Sequence, residues 1–194
     1  MWPAPITLTG TYVSLELLSQ DHAPDLADAS ADGDLAALWY TMVPAPTDVP
    51  TDIDARLATP GMTPFAILDA SGKAVGMTTF MNADQTNRRV EIGSTWYRTS
   101  AQRSPMNTEC KLLMLGHAFD ELDCIAVEFR THFMNRASRN AIERLGAKFD
   151  GVLRNHMIMA NGTLRDTAVY SICQHEWPAV RANLEHKLTE MDQP

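Results

Sequence analysis

The chain has 194 residues, a length that suits one domain, or one domain with a modest extension. Hydrophobic residues make up 45% and charged residues 21%, enough for a sizeable buried core. The formal net charge of −8 argues against a non-specific nucleic-acid binder, which needs a basic footprint, and is compatible with an amine substrate as well as with plain solubility.

"TYVSLELLS" alternates Val13, Leu15 and Leu17 with Ser14 and Glu16, the pattern of a half-buried strand. Asp21 then opens a helical stretch running to about Trp39. The prolines of "VPAPTDVPTD" predict a loop, and a short helix follows near "IDARLA" before Pro60 and Gly61. "PFAILDASGKAVGMTTFMN" reads as a hairpin turning at Ser71-Gly72. The fourth predicted strand is "RRVEIGSTWYR", with Val90 and Ile92 on one face and Glu91 and Gly93 on the other. After "AQRSPMNTEC", Leu112, Leu115, Phe119 and Leu122 recur at helical spacing.

"CIAVEFRTHF" predicts a fifth strand with Ile125, Val127 and Phe129 on one face. "NRASRNAIERLGA" predicts a helix with Ala141, Ile142 and Leu145 facing the core and Gly146 as its stop. The last strands pair around Asn161-Gly162, and a closing helix has Pro178 in its first turn, over about residues 175–190. Seven strands in this order with interspersed helices imply an α/β (α+β) domain with a mixed, mostly antiparallel twisted sheet flanked by helices. Residues 1–194 are expected to form that single domain, with a core over about 6–173.

Cys110, Cys124 and Cys173 are odd in number and unpaired in spacing, which predicts a reducing compartment and three small core residues. The start has no basic region followed by an apolar stretch, and no run reaches the roughly 18 apolar residues of a membrane span, so the expectation is a soluble, cytoplasmic protein without a membrane partner. His22, His117, His132, His156, His175 and His186 form no pair at metal-ligand spacing, so no metal site is expected. A P-loop, a dinucleotide fingerprint and a GxSxG elbow are absent.

The stretches "AQRSPMNTEC", "NRASRNAIERLGAKFDG" and "GVLRNHMIMANGTLRDTAVYSI", in this strand order, resemble the GCN5-related N-acetyltransferase family. Its acetyl-CoA loop runs Gln or Arg, two residues, Gly, one residue, Gly or Ala; here Gln102 takes the first position, Pro105 the first Gly and Asn107 the last. The family's later helix has an Asn followed three residues on by Ser or Ala, with a closing Gly; Asn135, Ser138 and Gly146 fit. The tail "GVLRNHMIMANGTLRDTAVYSI" is similar to the ribosomal-protein (RimJ/RimL-like) branch.

The resemblance implies an acetyl-CoA-dependent N-acetyltransferase acting by direct transfer on a primary amine, a protein N-terminus or a small amine, and a homodimer through the last strands or the proline-rich loop. It also implies that residues 21–61 shape the acceptor pocket. The rival is a non-catalytic module binding an acyl-CoA or a protein on the same fold.

Ser104 can cap the helix and Pro105 suits its first position, leaving the amides of Met106, Asn107 and Thr108 at a positive helix end, with Gln102 and Arg103 as further donors. Pro105 itself lacks an amide to offer. The resemblance assigns the pantetheine arm to the backbone of Ser94 to Tyr97, with Ser94, Thr95 and Trp96 at the cofactor. It makes Glu91 a general base, against the alternative of a carboxylate paired with Arg88 or Arg89. Ser138 becomes the acid for the leaving thiolate, against a hydroxyl bonded back to a helix carbonyl. Asn135 caps the helix, bonds the pantetheine, or does both. The family's alternative tyrosine acid falls at Ile142, and the branch's later glutamate at Met157, beside His156, which is a substitute base or a structural histidine.

Overall fold

A computed structural model describes residues 2–191. Strands β1 (Leu8–Thr9), β2 (Ser14–Leu17), β3 (Thr63–Leu68), β4 (Ala74–Asp84), β5 (Arg89–Tyr97), β6 (Ala126–His132), β7 (Lys148–Ile158) and β8 (Leu164–Cys173) form one sheet in the order β1-β2-β3-β4-β5-β6-β8-β7. Every pairing is antiparallel except β5 with β6. The helices are α1 (Ala23–Ala31), α2 (Val49–Ala58), α3 (Met106–Gly116), α4 (Arg136–Leu145) and α5 (Trp177–Met191). The mixed, mostly antiparallel sheet flanked by helices is as the sequence predicts, with the two-residue β1 added to the seven expected strands. The fourth and fifth predicted strands are thus β5 and β6.

Alternation along β3 divides the core. Phe65 and Ile67 pack with Cys110, Met114 and Leu115 of α3, Ile142 of α4 and Leu184 of α5. Ala66 and Leu68 face the other way, onto Leu26 and Ala29 of α1 and Val49 and Ile53 of α2. The α1/α2 layer reaches Met77 of β4 and Trp96 of β5, whereas β6 and β8 show a polar surface on that face, carrying Glu128, Arg130, His132, Arg165 and Thr167.

Several local expectations are corrected. α1 ends at Ala31, not near Trp39, because Asp32 leaves the helical region and Gly33 takes a φ of +94°. Val49 to Asp52, expected as loop, open α2, where Pro50 sits in the first turn and needs no amide there. Leu17 and Ile125 are exposed, since Leu17 ends β2 and Ile125 precedes β6. Cys173, the last residue of β8, is only half-buried. The hairpin turns at Gly72 and Gly162 and the stop at Gly146 are as expected, each glycine with positive φ. Among the described residues no helix is long and apolar enough to cross a membrane.

Candidate active site

β5 and β6 pair over three positions only, Arg89 with Ala126, Val90 with Val127 and Glu91 with Glu128. Beyond Glu91 the strands separate. A bulge accompanies the separation: between the pairs Thr79–Gly93 and Met77–Trp96, β4 contributes Thr78 while β5 contributes both Ser94 and Thr95. Ser94 takes a φ of +49°, and the extra residue bends β5. The β5 edge over residues 92–97 therefore has no partner in β6 and can accept an extended ligand as a strand would. Trp96 and Tyr97 are buried packing residues. Behind the bulge lies Lys111 of α3, 5% exposed, whose Nζ donates to Thr95 Oγ1 at 2.9 Å and Thr78 Oγ1 at 3.3 Å.

The loop before α3 lies at the end of β5. Asp32, past the end of α1, accepts from Arg98 Nε at 2.8 Å, Ser100 Oγ at 2.6 Å and Ser100 N at 3.1 Å. Gln102 Nε2 donates to Tyr97 O at 3.2 Å, so its side chain braces the loop. Arg103 is exposed with a φ of +60°. Ser104 Oγ donates to Ala101 O at 2.6 Å and accepts from Met106 N at 3.4 Å, but it stands one residue before the N-cap: Pro105 takes that position instead of the first helical one, and α3 opens at Met106. The Met106 amide is thereby engaged, and its side chain packs on the core. The amides of Arg103, Ser104, Asn107 and Thr108 have no acceptor among the described residues. They sit at a helix N-terminus in a stretch, residues 98–108, without an acidic side chain.

Glu91 is 5% exposed, on the polar face, at the last pair before the strands part. Its Oε2 accepts from Asn82 Nδ2 at 2.7 Å and lies 3.5 Å from Arg130 Nε. The partner is Arg130, not Arg88 or Arg89, which pair with Asp123 and Glu128. Burial pushes the Glu91 carboxyl above its ordinary value; Asn82 and Arg130 oppose that rise and Glu128 adds to it. Glu91 lines a cavity of about 160 Å³ with Asn82, Asp84, Arg89, Glu128 and Arg130. A larger hollow of about 290 Å³ lies elsewhere, at the β1–β2 and β3–β4 turns, and borders none of these residues.

α4 approaches from the opposite face of the sheet. Asn135 caps it, Oδ1 accepting from Ser138 N at 3.0 Å. Ser138 is half-buried, and its hydroxyl has no hydrogen bond among the described residues. Arg144 Nη2 donates to Thr108 Oγ1 at 3.1 Å, joining α4 to the first turn of α3. Glu91 and Ser138 thus flank the parted strands from opposite sides and do not touch. His156 is exposed, with Nδ1 at 3.1 Å from Thr167 Oγ1, and Ile142 is in the core.

The sequence reading missed Lys111, Asn82 and Arg130. Lys111 was detectable, since it falls in phase with Met114 and Leu115 on the buried stripe of α3. Asn82 and Arg130 come together only through strand pairing. No cluster of three or more potential metal ligands occurs among the described residues.

The acetyltransferase (GNAT) domain family model matches residues 13–148. Bacillus subtilis (strain 168) YdaF, named as a candidate ribosomal N-acetyltransferase, is 31% identical over 106 residues; the match takes in 55% of this chain and 57% of that protein, so the chain spans little more than half the length of this relative. A solved GCN5-related N-acetyltransferase from Brucella melitensis is 33% identical, with a TM-score of 0.88 over 96% of this chain and 86% of that one. Mycobacterium smegmatis RimJ, solved with CoA-disulfide, shares the fold at a TM-score of 0.78 and 22% identity, over 94% of this chain and 95% of that one. With parted parallel strands, a bulge beside them and a helix N-terminus at their end, and with this match over most of its length, the chain belongs to the GCN5-related N-acetyltransferase (GNAT) family.

Proposed function

We propose that the protein transfers an acetyl group from acetyl-CoA to a primary amine, directly, while holding both. The observation that carries this is the gap between β5 and β6, with an open backbone edge on one side and the unpaired amides of the α3 start at its end. Those amides and the helix dipole suit a pyrophosphate, and the edge over residues 92–97 suits the pantetheine amides.

Acetyl-CoA supplies the activated thioester. The β5 backbone at the bulge orients it, and a strand-end N–H donates to its carbonyl oxygen as negative charge develops there. Glu91, directly or through a water, takes the proton from the acceptor ammonium. Its raised pKa improves it as a base, because the proton it gains is held more firmly. Ser138, approaching from the other face, gives a proton to the departing thiolate. Asn135 fixes the first turn of α4 and so the position of Ser138.

The competing reading, a non-catalytic acyl-CoA or protein-binding module, is favoured by Pro105, which removes one amide from the loop. Calorimetry with acetyl-CoA, with desulfo-CoA and pyrophosphate as controls, followed by thiol release over an amine panel, separates the two. Binding with transfer supports the enzyme. Binding without transfer to any amine supports the module, and absence of binding at millimolar ligand rejects both forms that use acyl-CoA.

A further inference from the structure

Two buried residues on the sheet face that carries Glu91, Arg165 and His132, have hydrogen-bonding capacity left over among the described residues. Arg165 is 8% exposed, and its one hydrogen bond among the described residues runs from Nε to Thr167 Oγ1 at 2.9 Å. Among the described residues no carboxylate forms an ion pair with it, whereas Arg130 has Glu91 and Glu128, and Arg89 has Glu128. Burial lowers the Arg165 pKa, the Glu91 charge opposes that, and Arg130 adds to it. A guanidinium buried to this degree without a paired carboxylate is well placed to take one from a ligand.

The second donor is His132, 4% exposed, across the strand pair from Thr167. Its Nδ1 accepts from Met134 N at 3.1 Å, which puts the proton of the neutral ring on Nε2. Nε2 is buried without a partner among the described residues. Burial and then the Arg165 charge lower the pKa of this ring, and Asp166 opposes them. Trp39, half exposed in the segment between α1 and α2, closes edge-on over His132 with ring centroids 5.1 Å apart, and Tyr40 adjoins both. The result is an aromatic-walled corner with Arg165 and the His132 Nε2–H as donors, on the same sheet face as Glu91, in a chain whose net charge is −8.

We infer that Arg165 and the Nε2–H of His132 hold a carboxylate of the acceptor, so that the acceptor is a primary amine with a carboxylate a few bonds from its nitrogen. The amine end of this inference rests on the acetyltransferase reading; the carboxylate end stands on Arg165, which has no ion pair among the described residues, and on the unpartnered His132 Nε2. Bidentate recognition is what a guanidinium does best, and Trp39 and Tyr40 cover the neighbouring His132 ring. A free amino acid and a peptide with an acidic first residue offer the same chemistry.

The test is equilibrium binding, which does not require turnover. N-acetylalanine is compared with N-acetylalanine amide, and N-acetyl-Asp-Ala-amide with N-acetyl-Asn-Ala-amide, on the wild type, Arg165→Gln and Arg165→Lys. Acetyl-CoA binding by each variant shows that it is folded. The expected result is that one carboxylate member binds at least tenfold better than its amide partner, and the pair that responds identifies the source. Arg165→Gln should weaken that member roughly 10- to 100-fold and leave its partner unchanged, with partial recovery in Arg165→Lys. This result supports the carboxylate site even when no amine is acetylated, in which case the transferase reading alone falls. Equal binding of acid and amide in both pairs, or a preference undiminished in Arg165→Gln, overturns the site even when transfer is observed.

Discussion

Arg98 Nε donates to Asp32 Oδ2 at 2.8 Å, tying the end of α1 to the segment that enters the loop before α3. The Ser100 hydroxyl, Arg98 and the Ser100 amide, in that order, hold the Asp32 carboxyl down from 3.8 to about 2. A depressed carboxyl adds stability above its unfolded value and loses it as pH falls through the folded one. Asp32→Asn should therefore melt below the wild type by a steady margin at neutral pH, and the margin should close between about pH 4 and pH 2. Thermal melts across that range decide it, and a margin independent of pH would contradict the assignment.

Pro105→Gly gives the loop one more amide at the helix start. A hydrogen bond to a charged group is worth roughly 1.5–3 kcal/mol, so acetyl-CoA should bind about ten- to a hundredfold more tightly. Desulfo-CoA should gain equally, because the change acts on the pyrophosphate. Unaltered affinity would place the pyrophosphate elsewhere.

Glu91→Gln should lower kcat on the order of 10²-fold or more while acetyl-CoA affinity stays within about twofold. Because burial raises this carboxyl, the acid limb of the wild-type rate profile should lie above the usual carboxylate range. In the variant that limb should vanish. Stability moves the other way: a raised carboxyl lowers wild-type stability as pH climbs through its folded pKa, so the variant should be no less stable at pH 8. A profile unchanged by the substitution would rule Glu91 out as the base.

Lys111→Met removes a buried cation whose partners, Thr78 and Thr95, already bond each other at 2.8 Å. Stability should be unchanged or up to about 4 kcal/mol higher. Burial lowers the Lys111 pKa, so wild-type stability rises with pH from the folded value toward the unfolded value of 10.5. The advantage of the variant should shrink over that interval. A variant that melts lower at every pH would mean that the ammonium holds the bulge together.

What the sequence reveals here is what depends on local rules. The Asn135 cap, the Gly146 stop and the turn glycines are decided within a few residues, and each stands where the pattern puts it. The charged residues of the interior are not local. Glu109 of α3 accepts backbone N–H groups from Thr11, Tyr12 and Val13 at 2.7, 2.6 and 2.9 Å, a partnership across nearly a hundred residues that no periodicity encodes. The Glu91–Asn82–Arg130 group likewise depends on strand register, and the reach of Trp39 to His132 depends on how the segment after α1 folds over the sheet. The helix expected to reach Trp39 hid that contact, because a continuous helix would have carried the indole with it.

With only three residue pairs between β5 and β6, the eight strands behave as a five-stranded and a three-stranded sheet sharing a short seam. Much of the backbone continuity along the rest of that seam falls to whatever molecule lies in the gap. A pantetheine bound there, as proposed, would be a structural member, a ninth strand without a side chain, and its loss should loosen the two halves together. Amide exchange at residues 92–97 and 129–132 should slow on acetyl-CoA binding, and the melting temperature should climb with the logarithm of ligand concentration.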